Sequence, residues 1–170
     1  MRFAFDLLGD RRVAFRLGVV ASAVKDVSRA WPKVRDELVG IERRQFSARG
    51  RGPGGAWAPL SPAYAARKAR THPGAPILVR SGAMRASLTR VGGPGQWFRS
   101  FPLSMEFGTN VASSRGYPYP LAHQHGAPGA NVPRRPVFDL DTMRDVQRLW
   151  REVQKVIHES LGAGAVRAGP

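Results

Sequence analysis

The side chains with the most obvious chemical potential are His123 and His125, one residue apart in the run His123-Gln124-His125-Gly126. Two imidazoles this close could ligate a metal. A tetrahedral site needs further ligands, however, and His72 and His158 stand at no recognisable spacing from the pair. The chain has no cysteine to complete such a set, to act as a nucleophile or to form a disulfide. The pair therefore reads as hydrogen-bonded histidines in an ordered loop. Ser81 has no His and Asp partners near it in sequence, which argues against a nucleophile. Asp139 and Asp141 flank a strand-like end, a common setting for helix caps rather than for an acid–base pair. The Gly/Arg run 48–56 lacks the Gly-Lys-Ser/Thr of a phosphate loop, and no Gly-rich nucleotide fingerprint follows a strand. The expectation is a protein that is not an enzyme, with no catalytic residue, metal or cofactor.

Charge says more than chemistry here. The formal net charge is +15, and no acid occurs between Glu42 and Glu106 or from Phe107 to Phe138. Arg43, Arg44, Arg49, Arg51, Arg67, Lys68 and Arg70 open this basic stretch, which favours phosphate or acidic protein surfaces as partners. Only four of the 27 basic residues are lysines, a preference that codon bias could produce; such a bias does not remove acids from the middle of the chain. No apolar run approaches a membrane span and the N-terminus lacks a signal-peptide core, so the chain is expected to be cytoplasmic when made, without membrane contact.

At 170 residues the chain is long enough for one domain with a real core. Phe3, Phe5 and Leu7 alternate as in a short strand, and Val13, Leu17, Val20, Val24 and Val27 form the seam of an amphipathic helix. Pro32 suits the first turn of a second helix, whose apolar stripe is Trp31, Val34, Leu38, Ile41 and then Gln45 or Phe46. The run 48–56 carries no packing groups and is expected to be a mobile loop or an arm that orders on a neighbour. Trp57 reads as an anchor for the entry into a short basic helix over 62–70, with Ser61 as its cap. Residues 77–79 read as extended or buried, with Ser81 capping a short helix through Leu88. A hairpin is expected from 96–101 against 103–107, with Gly108 and Thr109 breaking the second strand. Residues 109–132 form a long loop with its own anchors, Tyr117, Tyr119, Leu121 and Val132; residues 137–140 return as a strand. The last helix, capped by Asp141 or Thr142 with Asp145 in its first turn, buries Val146, Leu149, Trp150, Val153, Val156, Ile157 and Leu161. Gly162 and Gly164 stop it, leaving 163–170 frayed. Together these elements predict an α+β fold: a small antiparallel sheet packed with N-terminal helices and a long C-terminal helix, with a long interface loop.

Several short blocks fall in a recognisable order. They are Trp57-Ala58-Pro59-Leu60-Ser61-Pro62 with Tyr64 and Lys68, then Ile77-Leu78-Val79-Arg80-Ser81-Gly82 and Leu88. Phe107-Gly108-Thr109, a Tyr-Pro pair, His123-Gln124-His125-Gly126 and Pro133-Arg134-Arg135-Pro136-Val137-Phe138 follow. In this order, over about 45–141, the chain resembles the phage virion morphogenesis family of Mu-type tail-completion and neck proteins. It departs from that pattern in residues 112–116, which make the loop before Tyr117 longer and more basic.

The resemblance implies a small α+β structural protein of the virion, at the head–tail junction or the tail end. It would form a ring of its own copies that meets connector and tail-tube proteins while DNA passes, without sequence preference, through the lumen. On this reading Trp57, Tyr117, Tyr119, His123, Gln124, His125, Arg134 and Arg135 are interface candidates, and the seven basic residues from Arg43 to Arg70 face DNA or an acidic partner. Replacing Arg134 and Arg135 together by Ala is then expected to leave the chain folded but weaken assembly. The alternative is a free, basic nucleic-acid-binding protein, although no recognised nucleic-acid-binding signature accompanies the charge.

Overall fold

Trp31–Ala48 forms the first long helix, α1, with proline in its first turn where the missing N–H costs nothing. The computed structural model describes residues 25–50, 54–140 and 143–166. The expected first strand, the helical seam before Val27, Arg51 and the caps Asp141 and Thr142 lie outside them. Within α1 the stripe Trp31, Val34, Ile41, Gln45 and Phe46 is buried as its spacing predicts, joined by Val39 and Glu42. The helix ends in a left-handed turn at Arg49 (φ 56°), with Gly50 N–H donating to the Gln45 carbonyl at 3.0 Å and Arg49 N–H to Phe46 at 3.3 Å.

The remaining elements are α2 (Pro62–Thr71), α3 (Ala83–Thr89), β1 (Gln96–Ser100), β2 (Met105–Thr109), α4 (Tyr119–His125) and α5 (Arg144–Val166). Ser61 caps α2, its hydroxyl accepting from Tyr64 N–H at 3.4 Å. Gly82, in a left-handed conformation, takes the cap position of α3, and the Ser81 hydroxyl accepts from Ala83 N–H. β1 and β2 pair antiparallel, Phe98 facing Phe107 and Gln96 facing Thr109. The fold is α+β, with the small hairpin packed against helices as the sequence predicts.

Two apolar clusters hold these parts together. Val27, Ala30, Trp31, Val34 and Val153 form one, closed by Leu38, Phe98, Met105 and the α5 residues Leu149, Val156 and Ile157. Phe46, Trp57, Met84, Leu88 and Val137 form the other, with Phe107, Tyr119 and Phe138 packed on it. The Trp31 indole N–H donates to the Phe101 carbonyl at 2.6 Å and Val27 N–H to Pro102 at 2.8 Å, fixing the hairpin turn to the start of α1. On the other side the Ser87 and Thr109 hydroxyls share a 2.8 Å hydrogen bond between α3 and β2.

Several expectations are corrected. Gly108 and Thr109 do not break β2; they pair with Trp97 and Gln96. Residues 77–79, read as extended or buried, turn rather than extend, Leu78 adopting φ 61°, and pack half-buried against the second cluster. The segment 109–132 contains α4 and a 3₁₀ turn at Pro128–Ala130, because Pro118 and Pro120 place a helix start where Gly and Ser alone suggested coil. Residues 137–140 form no strand. α5 runs past Gly162 and Gly164 to Val166, since an isolated helical glycine only weakens a helix. On α5 Val153 is buried while Val146 and Trp150 face outward, so the apolar residues occupy two faces rather than one.

The expected mobile run 48–56 is tied down at both described ends. Trp57 N–H donates to the Arg49 carbonyl at 3.0 Å, and Gly54 N–H to Asp139 Oδ2 at 2.8 Å. Gly50 lies against the Trp57 indole, where an added Cβ would sit 2.2 Å from Cδ1, and its φ is +76°. Gly55 shares the positive φ but faces open space. Gly55→Ala should therefore cost only the left-handed strain, about 1–2 kcal/mol. Gly50→Ala adds overpacking and should cost at least about 3 kcal/mol. Urea unfolding of the two variants side by side measures the difference.

Candidate functional site

Between Pro133 and Phe138 the chain runs as an irregular strap that bends at Val137 and Phe138. Pro133 and Pro136 have no N–H and bar a regular ladder, which is why the expected return strand does not form. Side chains take the place of the missing neighbour strand. The Gln124 amide does most of this: its Oε1 accepts from Val137 N–H at 2.8 Å and Phe138 N–H at 2.9 Å, while its Nε2 donates to the Phe138 carbonyl at 2.9 Å. The Pro136 carbonyl accepts from Trp57 Nε1 at 2.7 Å and Gln45 Nε2 at 3.1 Å. Trp57 is buried and meets Phe46 edge to face, so it is the expected anchor, reaching further than its own helix, and its interface reading is corrected.

The arginine pair is split by the alternation of an extended chain. Arg135 points inward and is buried, its Nε donating to the Ala58 carbonyl at 2.8 Å and an Nη to Pro59 at 2.9 Å. Arg134 points outward, its Nε reaching the Gln124 carbonyl at 3.3 Å. The interface reading of Arg135, and with it the expectation that the pair is dispensable for folding, is therefore corrected. Lys68 is corrected likewise: it is buried and its Nζ donates to the Pro76 carbonyl at 2.5 Å, so it does not belong to a DNA-facing surface.

The other candidates scatter. Tyr117 and His125 are exposed, Tyr119 and His123 half-buried. Arg43 is exposed with its Nε on the Thr89 carbonyl at 2.7 Å, and Arg44 lies 3.7 Å from Asp145. Arg49 is exposed at the end of α1, Arg67 stacks over the Tyr64 ring at 5.0 Å, and Arg70 is exposed. The strap thus brings together Trp57, Gln124 and Arg135 as structural pins and leaves Arg134 and His125 side by side at the surface.

Burial, then the nearby Arg135 charge, lowers the pKa values of both Lys68 and His123; burial also raises that of Tyr119. His123 Nδ1 is buried without a hydrogen-bond partner. Among the described residues no three metal-ligating side chains come together. Nor is any helix among them long and apolar enough to cross a membrane. Comparisons with protein-family models, with curated proteins and with solved structures each find no match to the chain.

Sequence reasoning missed Glu42. It sits among the apolar stripe of α1, fully buried, with neither carboxyl oxygen hydrogen-bonded. Burial, and secondarily the Asp139 charge, pushes its pKa well above the ordinary carboxylate value. Its place next to Ile41 in an otherwise regular stripe is the only sequence signal that could have marked it.

Two predictions follow from these contacts. Arg135→Ala should destabilise the fold by about 2–3 kcal/mol through the lost charged hydrogen bonds, and Arg134→Ala by less than about 0.5 kcal/mol, as read from denaturant midpoints. For Glu42, the folded chain keeps a proton that the unfolded chain releases at pH values between the ordinary carboxylate value and the raised one. Its contribution to stability accordingly falls as pH rises across that window and levels off above it. Glu42→Gln should remove this slope, so wild-type melting temperatures should drop relative to the variant as pH rises above the ordinary carboxylate range. Parallel curves would show that Glu42 does not titrate there.

Proposed function

We propose that the chain is a structural assembly protein of a tailed-phage neck or tail end, working as a ring of its own copies around DNA. The observation that carries this reading is large apolar side chains left exposed on three different elements. The hairpin turn exposes Phe101 and Leu103 (64%), the loop and α4 expose Tyr117 and Leu121, and the outer face of α5 exposes Val146 and Trp150 (54%), with Met143 (72%) exposed just before that helix. Scattered single residues of this kind are ordinary; grouped ones mark surfaces that another protein covers. A ring needs two different faces on each subunit, each meeting the other on a neighbour, and several separate apolar groups supply such faces.

The resemblance in the order of short motifs adds support, because Trp57, Gln124 and Pro136, three of the residues that carry it, are the ones that hold the strap. A shared motif order is expected where those positions secure a shared fold. Passage of DNA fits the charge. Among the described basic residues from Arg43 to Arg134, only Arg44 lies within ion-pair distance of an acid, and all but Lys68 are exposed.

That same free basic surface favours a second reading, a protein that binds nucleic acid on its own. Size-exclusion chromatography with light scattering, at low and high salt and with and without DNA, separates the two. A discrete multimer that persists in high salt supports assembly through apolar faces. A monomer that binds DNA with a steep loss of affinity as salt rises supports the second reading and overturns the first. Replacing Val146 and Trp150 together by Ser should change unfolding free energy by no more than about 1 kcal/mol, since both are exposed, while reducing the assembled mass. An unchanged multimer would remove α5 from the interface.

A further inference from the structure

Beside the strap lies an open cleft of about 480 Å³ whose walls include Pro128, Val132 and Pro133, with His125, Asn131 and Arg134 at its polar side. The backbone around it is internally satisfied. Ala127 and Val132 exchange both hydrogen bonds, at 2.8 and 3.1 Å, and Asn131, in a left-handed conformation, donates its N–H to the Pro128 carbonyl. A glycine is required at its edge, since a Cβ on Gly126 (φ +81°) would lie 3.2 Å from the Arg134 nitrogen. The cleft is thus shaped by a short closed loop rather than by loose coil.

The Arg134 guanidinium is steadied through Nε on the Gln124 carbonyl. Among the described residues, no hydrogen bond engages its two terminal amino groups or the side chains of His125 and Asn131. No acid occurs in the sequence from Phe107 to Phe138, and the Asp139 carboxylate accepts from Gly54 N–H. A steadied guanidinium, an imidazole and an amide therefore share one concave surface with no anion among the lining residues.

We propose that this cleft receives the carboxylate of an Asp or Glu side chain presented by a protein partner, with Arg134 as the principal contact. The two terminal amino groups of a guanidinium match the two oxygens of a carboxylate, and anchoring by Nε reduces the rotamer freedom lost on binding. The proline and valine walls suit the short aliphatic stem that an acidic side chain carries and a free phosphate lacks. The proposal rests on the assembly reading for the source of that acidic segment.

The test is nuclear magnetic resonance of the isotope-labelled full chain, titrated with a capped hexaglutamate peptide, with a capped hexaglutamine peptide and with inorganic phosphate. The expected result is a saturable set of shifts centred on His125, Asn131 and Arg134 with hexaglutamate alone. Arg134→Gln, which should melt as the wild type does, should weaken that binding by on the order of tenfold. Equal binding of hexaglutamine or phosphate, shifts spread over the whole arginine surface, or unaltered binding by Arg134→Gln would each overturn the proposal. Light scattering on the same samples keeps the two readings apart. A wild type that never assembles yet takes hexaglutamate at Arg134 overturns the assembly reading and leaves the cleft standing. A wild type that forms rings but ignores the peptide overturns the cleft alone.

Discussion

Everything in the described structure turns on how one proline-bounded segment finds partners for its main chain. The Pro136 carbonyl is buried, and the Val137 and Phe138 amides face the interior with no neighbouring strand. Left unmet, each of these groups would cost about 1–3 kcal/mol, far more than a satisfied bond contributes net. Three side chains from three distant stretches converge to meet that demand: Gln45 from α1, Trp57 from the entry to α2 and Gln124 from α4. The strap therefore forms only when these stretches have docked, and they are oriented by what the strap requires of them. Polar complementarity of this kind selects one arrangement where apolar contacts alone would tolerate several.

The parts of this design that are legible in the sequence are those written in periodicity and punctuation. The α1 stripe from Trp31 to Phe46, the Ser61-Pro62 start of α2 and the pairing of β1 with β2 all follow from local spacing. So does Asp145 in the first turn of α5. What could not be read is the direction in which a polar side chain faces. Arg134 and Arg135 are chemically identical, and only the path of the strap sends one outward and the other under the 58–59 backbone. Lys68 resembles its exposed neighbours Arg67 and Arg70 until the turn after α2 brings the Pro76 carbonyl to its amine. Val146 and Trp150 continue an apolar pattern whose inner face alone the core can accommodate. In each case the deciding contact lies outside the residue's own element.

The interior is unusual in the charges it holds. Arg135 and Lys68 are buried with carbonyl oxygens rather than carboxylates as partners, and Glu42 is buried with none. Carbonyl partners, unlike carboxylates, bring no full negative charge to set against these two cations. Burial favours the neutral form of Glu42. Asp145, by contrast, is buried within 3.7 Å of the Arg44 guanidinium.

α1 contributes to both apolar clusters, Trp31 and Val34 at one end and Phe46 at the other. With 18 residues it is a rod of roughly 27 Å, and helices of this length are stiff. One end carries the hairpin turn through Trp31, and the other carries Trp57 and, through it, the strap. The hairpin turn and the strap are thus coupled through one stiff rod, so a displacement at one end bears on the other. In the ring proposed above, neighbours pressing on opposite faces of one copy would feel each other through this single helix.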